Sequence, residues 1–467
     1  MRINSKLFRQ GNPCFFKTFD KNVEFYKKGD FMIERKKYLS ELINSMNNGF
    51  PKVITGIRRC GKSYMLKNIF SRYLISNGVL QENILFIDLD NDENVELRDP
   101  LYLGEYVRKY CNGKEKVYVF VDEIQKVFTI VNPVLTDGKH VLATAKDKEV
   151  ISFVDVVLGL SREENIDLYI TGSNSKMLSS DIITEFRDKA INIHINPLSF
   201  EEFYNYRGGY KIEAFYEFLQ FGGMPLCVLK KTEEEKKNYL ASLFKTTYFK
   251  DILEHNNLHK SESLDELCNI ISELTGETIN AEKIANTYAS IKHEKIDKQT
   301  VDKYIQYFED AFVIREAKRY DIKGRNEIGA LRKYYFVDSG LRNARLNFSF
   351  QDEGHMLETV VYNELMYEGY SVNVGVVECV EKDKNRNSIR KTYEIDFYAK
   401  KANKLYYIQV VNDILDLKTK DREIKPFLKL KDNVQKIIVI NKPISETRDE
   451  NGFTVIGVVD FLLKFIK

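Results

Sequence analysis

The chain has 467 residues, which at roughly 100–200 residues per domain points to about two to four domains. Lys and Arg number 71 against 69 Asp and Glu, a formal net charge of +2, which excludes a globally basic nucleic-acid coat and an acidic disordered tail. The six cysteines (Cys14, Cys60, Cys111, Cys227, Cys268, Cys379) are dispersed with no C-x-x-C pair, which excludes a disulfide scaffold and a thiolate zinc site, and no apolar run approaches the ~20 residues that span a bilayer, so a cytoplasmic protein with no membrane contact is expected.

Residues 1–31 mix Lys, Asn and Phe with little periodicity and read as an N-terminal extension. A helical pattern opens just after Met32, with Ile33, Tyr38, Leu39, Leu42 and Ile43 at helix spacing, and Met32 is a second place where translation could begin. From about residue 50 to 200, short apolar strands alternate with helical stretches: 52–55, 84–87, 117–121 and 168–171. Continuous β-branched and aromatic runs between helices predict a parallel sheet covered on both faces, an α/β domain over residues 32–203. Residues ~126–150, with Pro133, Gly138 and several lysines, read as an irregular insertion.

The strand 52–55 runs straight into Gly56-Ile57-Arg58-Arg59-Cys60-Gly61-Lys62-Ser63, a full G-x-x-x-x-G-K-S, followed by Tyr64 and an amphipathic helix (Met65, Leu66, Ile69, Phe70). Glycines at these spacings let backbone N–H groups curl around a phosphate at the positive end of a helix. Lys62 supplies a cation for the β- and γ-phosphates and Ser63 a ligand for Mg²⁺, so ATP and Mg²⁺ are the expected ligands of residues 56–64. The strand 117–121 ends in Asp122-Glu123. Asp122 suits the magnesium shell and Glu123 can polarise an attacking water, which favours hydrolysis over a passive switch; helix capping is the alternative use of such a pair. The strand 168–171 ends in Gly172-Ser173-Asn174-Ser175, where Ser173 or Asn174 is expected either to sense the γ-phosphate or to cap the next helix. Arg187 follows a dozen residues on, as an arginine aimed at a neighbouring copy's γ-phosphate or as an ordinary surface residue.

The order Gly56–Ser63, Asp122-Glu123-Ile124-Gln125, Thr171-Gly172-Ser173-Asn174-Ser175, Pro197-Leu198-Ser199-Phe200-Glu201-Glu202-Phe203 and Gly222-Gly223-Met224-Pro225 resembles the prokaryotic AAA-like P-loop ATPases that carry a C-terminal domain of unknown function. The resemblance runs from about Met32 to the end of the chain. It implies an AAA-like core over 32–203, a helical lid over 204–260 and a homo-oligomer in which Arg187 acts in trans. Relatives of this kind carry an L-x-G-R or R-G-R segment before Pro-Leu-Ser-Phe; here it reads Phe186-Arg187-Asp188-Lys189, and a lysine cannot make the bidentate fork of the second arginine.

Helices at ~263–275, ~280–289 and ~298–311 followed by a hairpin-like pair at ~312–319 and ~332–337 predict a winged helix over 261–345, with Lys318, Arg319, Lys323 and Arg325 available to DNA phosphates. The alternative use of such a module is packing against protein. Residues 346–467 begin with a helix carrying Glu358 and continue into strands carrying Asp396 and Gln409, an order similar to restriction-nuclease-like α/β domains. That resemblance makes Glu358, Asp396 and Gln409 a degenerate nuclease site, because the position of the catalytic lysine is Val411; Lys418 and Lys420 are the other lysines near it. Three functions compete: an ATPase acting on or with DNA, a nucleotide-gated switch that binds a protein, and an ATP-coupled nuclease.

Overall fold

The computed structural model describes residues 33–144, 146–172, 186, 190–256, 258, 262–349, 352–382, 388–412 and 417–467. Ser173, Asn174, Arg187, Lys189 and the segment up to Met32 lie outside the described residues. The described chain divides into two compact units, one built on residues up to Val53 with Leu66–Thr171, the other on Ile54–Met65 with Asn192–Lys467.

The strands of the first part are β1 (Lys52–Thr55), β2 (Ile84–Asp88), β3 (Val117–Asp122), β4 (Ile130–Val131), β5 (Val150–Ile151), β6 (Ile166–Thr171) and β7 (Ile191–His194). Five of them form a sheet of order β2-β3-β6-β1-β7, and β3 pairs parallel with β2 and with β6. Every residue of β1, β3 and β6 is buried, as the largely apolar runs predict for strands covered on both faces. Three charged residues stand in these strands, Lys52, Asp167 and, at the end of β3, Asp122. Lys52 and Asp167 are both buried and pair with each other, and Tyr169 donates to the same carboxylate at 2.8 Å. The expected insertion is a small antiparallel pair, β4 with β5.

The second unit holds helices Phe200–Arg207, Lys211–Phe221 and Glu233–Leu243, then helices Glu262–Glu273, Ala281–Lys292 and Lys298–Asp310. Strands β8 (Ile314–Asp321) and β9 (Asn326–Phe336) follow as an antiparallel hairpin. After helix Glu353–Tyr367 come β10 (Ser371–Lys382), β11 (Ser388–Lys401), β12 (Lys404–Val411), β13 (Gln435–Ile440), β14 (Thr447–Arg448) and β15 (Thr454–Gly457). These make one eight-stranded mixed sheet of order β14-β15-β13-β12-β11-β10-β8-β9.

The helices-then-hairpin order is therefore present, but the hairpin is not a free wing. β8 pairs parallel with β10, Val374 opposite Arg319 and Val376 opposite Asp321, so the boundary expected at 345/346 cuts through one sheet. The turn is also tighter than expected, because the polar stretch before Tyr334 belongs to β9 rather than to a loop. Part of the expected lid likewise shares the core of this unit: Phe203, Phe215 and Phe218 pack in one cluster with Leu357, Val361 and Tyr362. The Gly222-Gly223 turn is clamped. Gly223 N–H donates to Asp338 Oδ2 at 2.6 Å, its carbonyl accepts from Leu198 N at 2.8 Å, and a Cβ on Gly223 would meet Leu198 O at 2.2 Å. Burial of Asp338 pushes its carboxyl up to about 6.

Candidate functional site

The loop after β1 is built against the end of β7. Ile195 N–H donates to Thr55 O at 2.8 Å, and the Cys60 thiol donates to Ile195 O at 3.2 Å. Gly56 has φ +141°, and a Cβ there would stand 2.1 Å from Ile195 O, so only glycine fits. Gly56→Ala is expected to displace the loop and weaken nucleotide binding at least about tenfold, measured by titration with a fluorescent ATP analogue. Lys62 is 4% exposed and donates to Gly56 O at 3.0 Å and Ile57 O at 3.3 Å. Among the described residues no carboxylate pairs with it, so a buried cation stands over loop carbonyls at a helix start. Such a charge suits an anion, and the loop fits a nucleotide phosphate. Arg58 is turned away from the loop into an ion pair with Asp251, while Tyr248 donates to Arg58 O at 3.2 Å. Tyr64 is half-exposed and Arg59 sits at φ +71°.

In the other unit, Asp122 closes β3 at 5% exposure and Glu123 follows at φ +56°. Thr171, the last residue of β6, holds both: its hydroxyl donates to Asp122 Oδ1 and accepts the Glu123 N–H at 3.1 Å. Gln125 donates to Glu123 Oε2. The pair is thus fixed at the C-terminal edge of a parallel sheet, where α/β proteins place their ligands.

A second cluster lies in the C-terminal sheet, in a cavity of about 640 Å³. Glu358, Asp396 and Gln409 all line it, 6%, 8% and 5% exposed, so the structure brings the three expected residues together. Val411 lines it too, but the cation comes from elsewhere. Lys333 of β9 places its ammonium 2.9 Å from Glu358 Oε1 and 2.9 Å from Glu394 Oε1. Burial opposes its charge, yet Glu358, Asp396 and Glu394 outweigh burial and hold the ammonium above the ordinary lysine range. Burial, then repulsion from Glu358, pushes Asp396 well above the usual carboxylate range, although Lys333 and the Val410 N–H at 2.8 Å pull it back. Tyr335 donates to Glu358, and Gln409 donates to Glu423 at 2.7 Å. Among the described residues no group of three His, Cys, Asp or Glu side chains is arranged to hold a metal ion, and the place beside Glu358 and Glu394 is taken by the Lys333 ammonium.

Residues 48–204 match the AAA domain, and residues 212–352 match a domain of unknown function, DUF8612. An uncharacterised protein of Haemophilus influenzae is 31% identical over 439 residues, covering 93% of this chain and 99% of the relative. The chain belongs to that protein's family. An uncharacterised protein of Methanocaldococcus jannaschii is 29% identical over 455 residues, 94% of this chain and 90% of the relative. Among solved structures, a Walker-type ATPase of Pyrococcus abyssi aligns with TM-score 0.44 at 12% identity, covering 69% of this chain and 99% of that one. The ORC2 protein of Aeropyrum pernix aligns with TM-score 0.34 at 11% identity, over 72% and 97%. The α/β part of the chain, over residues 48–204, thus matches an AAA domain. No described helix is long and apolar enough to cross a membrane.

Three residues make contacts at the candidate sites that the sequence alone does not assign to them. Thr171 ends a buried strand and heads the Thr171–Ser175 motif, which is the signal the sequence offers, but its bond to Asp122 is not legible there. Tyr248 lies within the expected lid, and Lys333 is one basic residue among several in β9.

Proposed function

We propose that the chain binds ATP with Mg²⁺ through residues 56–64 and hydrolyses it, acting on or with DNA. The observation that carries the reading is Lys62, a buried ammonium bonded only to loop carbonyls among the described residues. Ser63 and Asp122 would hold Mg²⁺, which supplies charge neutralisation on the phosphates. Glu123 orients and deprotonates the attacking water, and Thr171 keeps Asp122 and Glu123 in place. Arg187 in trans, with Ser173 or Asn174 at the γ-phosphate, belongs to the same proposal and implies a homo-oligomer. For DNA, the support is the exposed basic residues Lys318 on β8 and Lys323 and Arg325 at the hairpin turn.

One observation favours the nucleotide-gated switch instead: the hairpin is committed to a sheet, with Lys318 paired to Glu327 at 3.1 Å and Lys323 donating to Glu378 O at 2.9 Å. The C-terminal cavity is read as non-cleaving, because the ammonium of Lys333 already neutralises the carboxylates a metal would need.

Steady-state ATP hydrolysis with Mg²⁺, alone and with single-stranded, double-stranded and forked DNA, tests the reading. Glu123→Gln is expected to retain ATP while turnover falls about 10²–10⁴-fold. Unchanged turnover in that variant removes Glu123 from its role. Stimulation by DNA supports the first reading, and a slow rate indifferent to every nucleic acid supports the switch.

A further inference from the structure

Ile195 is the seat of the phosphate loop: its N–H holds Thr55 O, its carbonyl holds the Cys60 thiol, and that carbonyl packs against Gly56. The two residues flanking it are both gripped by one distant side chain. Arg315, the second residue of β8, donates from Nη2 to His194 Nε2 at 3.0 Å and also to Asn196 Oδ1. We infer that Arg315 is a positioning residue for the phosphate loop, fixing His194 and Asn196 so that Ile195 presents its N–H and carbonyl to residues 55–60. The inference rests on the reading of that loop as the nucleotide site.

Hydrogen-bond chemistry makes the arrangement directional. A guanidinium has donors and no acceptor, so His194 Nε2 must accept. The neutral imidazole then carries its proton on Nδ1, which donates to Thr55 Oγ1 at 3.1 Å. Protonating the ring would set an N–H against the guanidinium. Burial first, then the charges of Arg315 and Lys62, push His194 down to about 3, so the ring keeps this tautomer at neutral pH. The Phe312 ring packs against the imidazole with centroids 4.8 Å apart. A chain of defined donors therefore runs from β8 through His194 to Thr55, the residue before Gly56. Both bonds leave one nitrogen, Nη2, so lysine substitutes only in part: its ammonium has donors enough for both partners, but its stem is shorter and is not held by a planar guanidinium at that point.

The test uses the full chain, with a fluorescent ATP analogue for affinity and ATP turnover for KM and kcat. Wild type and Lys62→Ala come first: no binding by wild type, or wild-type binding by Lys62→Ala, overturns the nucleotide reading itself. With that reading intact, Arg315→Gln is expected to raise Kd and KM about tenfold while kcat stays within about twofold, because Glu123 and Asp122 are untouched. Arg315→Lys is expected to recover part of the loss, to about threefold. A merely structural arginine would lower the active fraction and hence kcat, leaving KM alone. Unchanged KM in Arg315→Gln, or a fall confined to kcat, overturns the proposal. If Arg315→Gln does not fold, Asn196→Ala carries the same readout, with KM raised about threefold supporting the proposal and unchanged KM overturning it.

Discussion

ATP binding falls by at least about a hundredfold in Lys62→Ala, roughly 3 kcal/mol, while the protein stays folded. The expectation follows from what Lys62 touches. Its ammonium is 4% exposed, and among the described residues its partners are two backbone carbonyls, Gly56 O and Ile57 O. Neutral acceptors leave its charge uncompensated, so a polyphosphate finds a buried cation with nothing to displace but weak bonds. Substitution also leaves Gly56 O without the Lys62 donor, at about 1–3 kcal/mol, while Ile57 O keeps the Cys60 N–H at 3.2 Å, so the melting temperature falls by a few degrees. Lys62→Arg is expected to fail as well, since a planar guanidinium does not fit the position of a compact ammonium. Isothermal titration with ATP and Mg²⁺ checks both variants, with thermal melting as the control for folding. Retained affinity in Lys62→Ala would leave the loop a structural turn.

Much of the front of the molecule was legible because its signals are local. β1, β3 and β6 are largely apolar runs, broken by Lys52, Asp167 and the terminal Asp122, and a strand that is buried on both faces reads mostly that way. The glycine-lysine-serine spacing needs only eight consecutive residues. Helices Glu262–Glu273, Ala281–Lys292 and Lys298–Asp310 carry their own periodicity and caps, Asn280 and Asp297 among them. What escaped depends on pairing between distant segments. The hairpin β8–β9 reads as a wing, and only its parallel register with β10 assigns it to the C-terminal sheet. Arg315 and Lys333 are single basic residues on these strands, and their partners lie 121 and 25 residues away, at His194 and Glu358. No spacing rule links them. The nuclease-like residues Glu358, Asp396 and Gln409 were legible from their own helix and strands, yet their cation was sought at Val411, because local reasoning looks beside Gln409 rather than across the sheet.

Lys333→Met is expected to destabilise the second unit by about 3–5 kcal/mol at neutral pH, since breaking a buried ion network by removing one partner strands the others. Glu358 and Asp396 are 6% and 8% exposed, and Lys333 holds Glu358 and Glu394 at 2.9 Å each. The deficit has a predictable pH dependence. Burial and Glu358 already raise the Asp396 carboxyl above its unfolded value, and loss of the ammonium, which lowers it, raises it further. A carboxyl with a raised folded pKa binds more protons folded than unfolded, so the variant's deficit shrinks as pH falls from its own folded value toward the lower one of the wild type. Chemical denaturation at neutral and at mildly acidic pH measures it, and adding Asp396→Asn to Lys333→Met is expected to recover part of the loss. Millimolar Mg²⁺ provides the sharpest discrimination. With the ammonium gone, an oxygen-rich cavity containing Glu358, Asp396 and Gln409 accepts a hard cation, so Mg²⁺ raises the melting temperature of the variant and leaves the wild type unmoved. A wild type that Mg²⁺ stabilises equally would mean that Lys333 does not stand in for the metal, and the cavity would then return to consideration as a cleaving site.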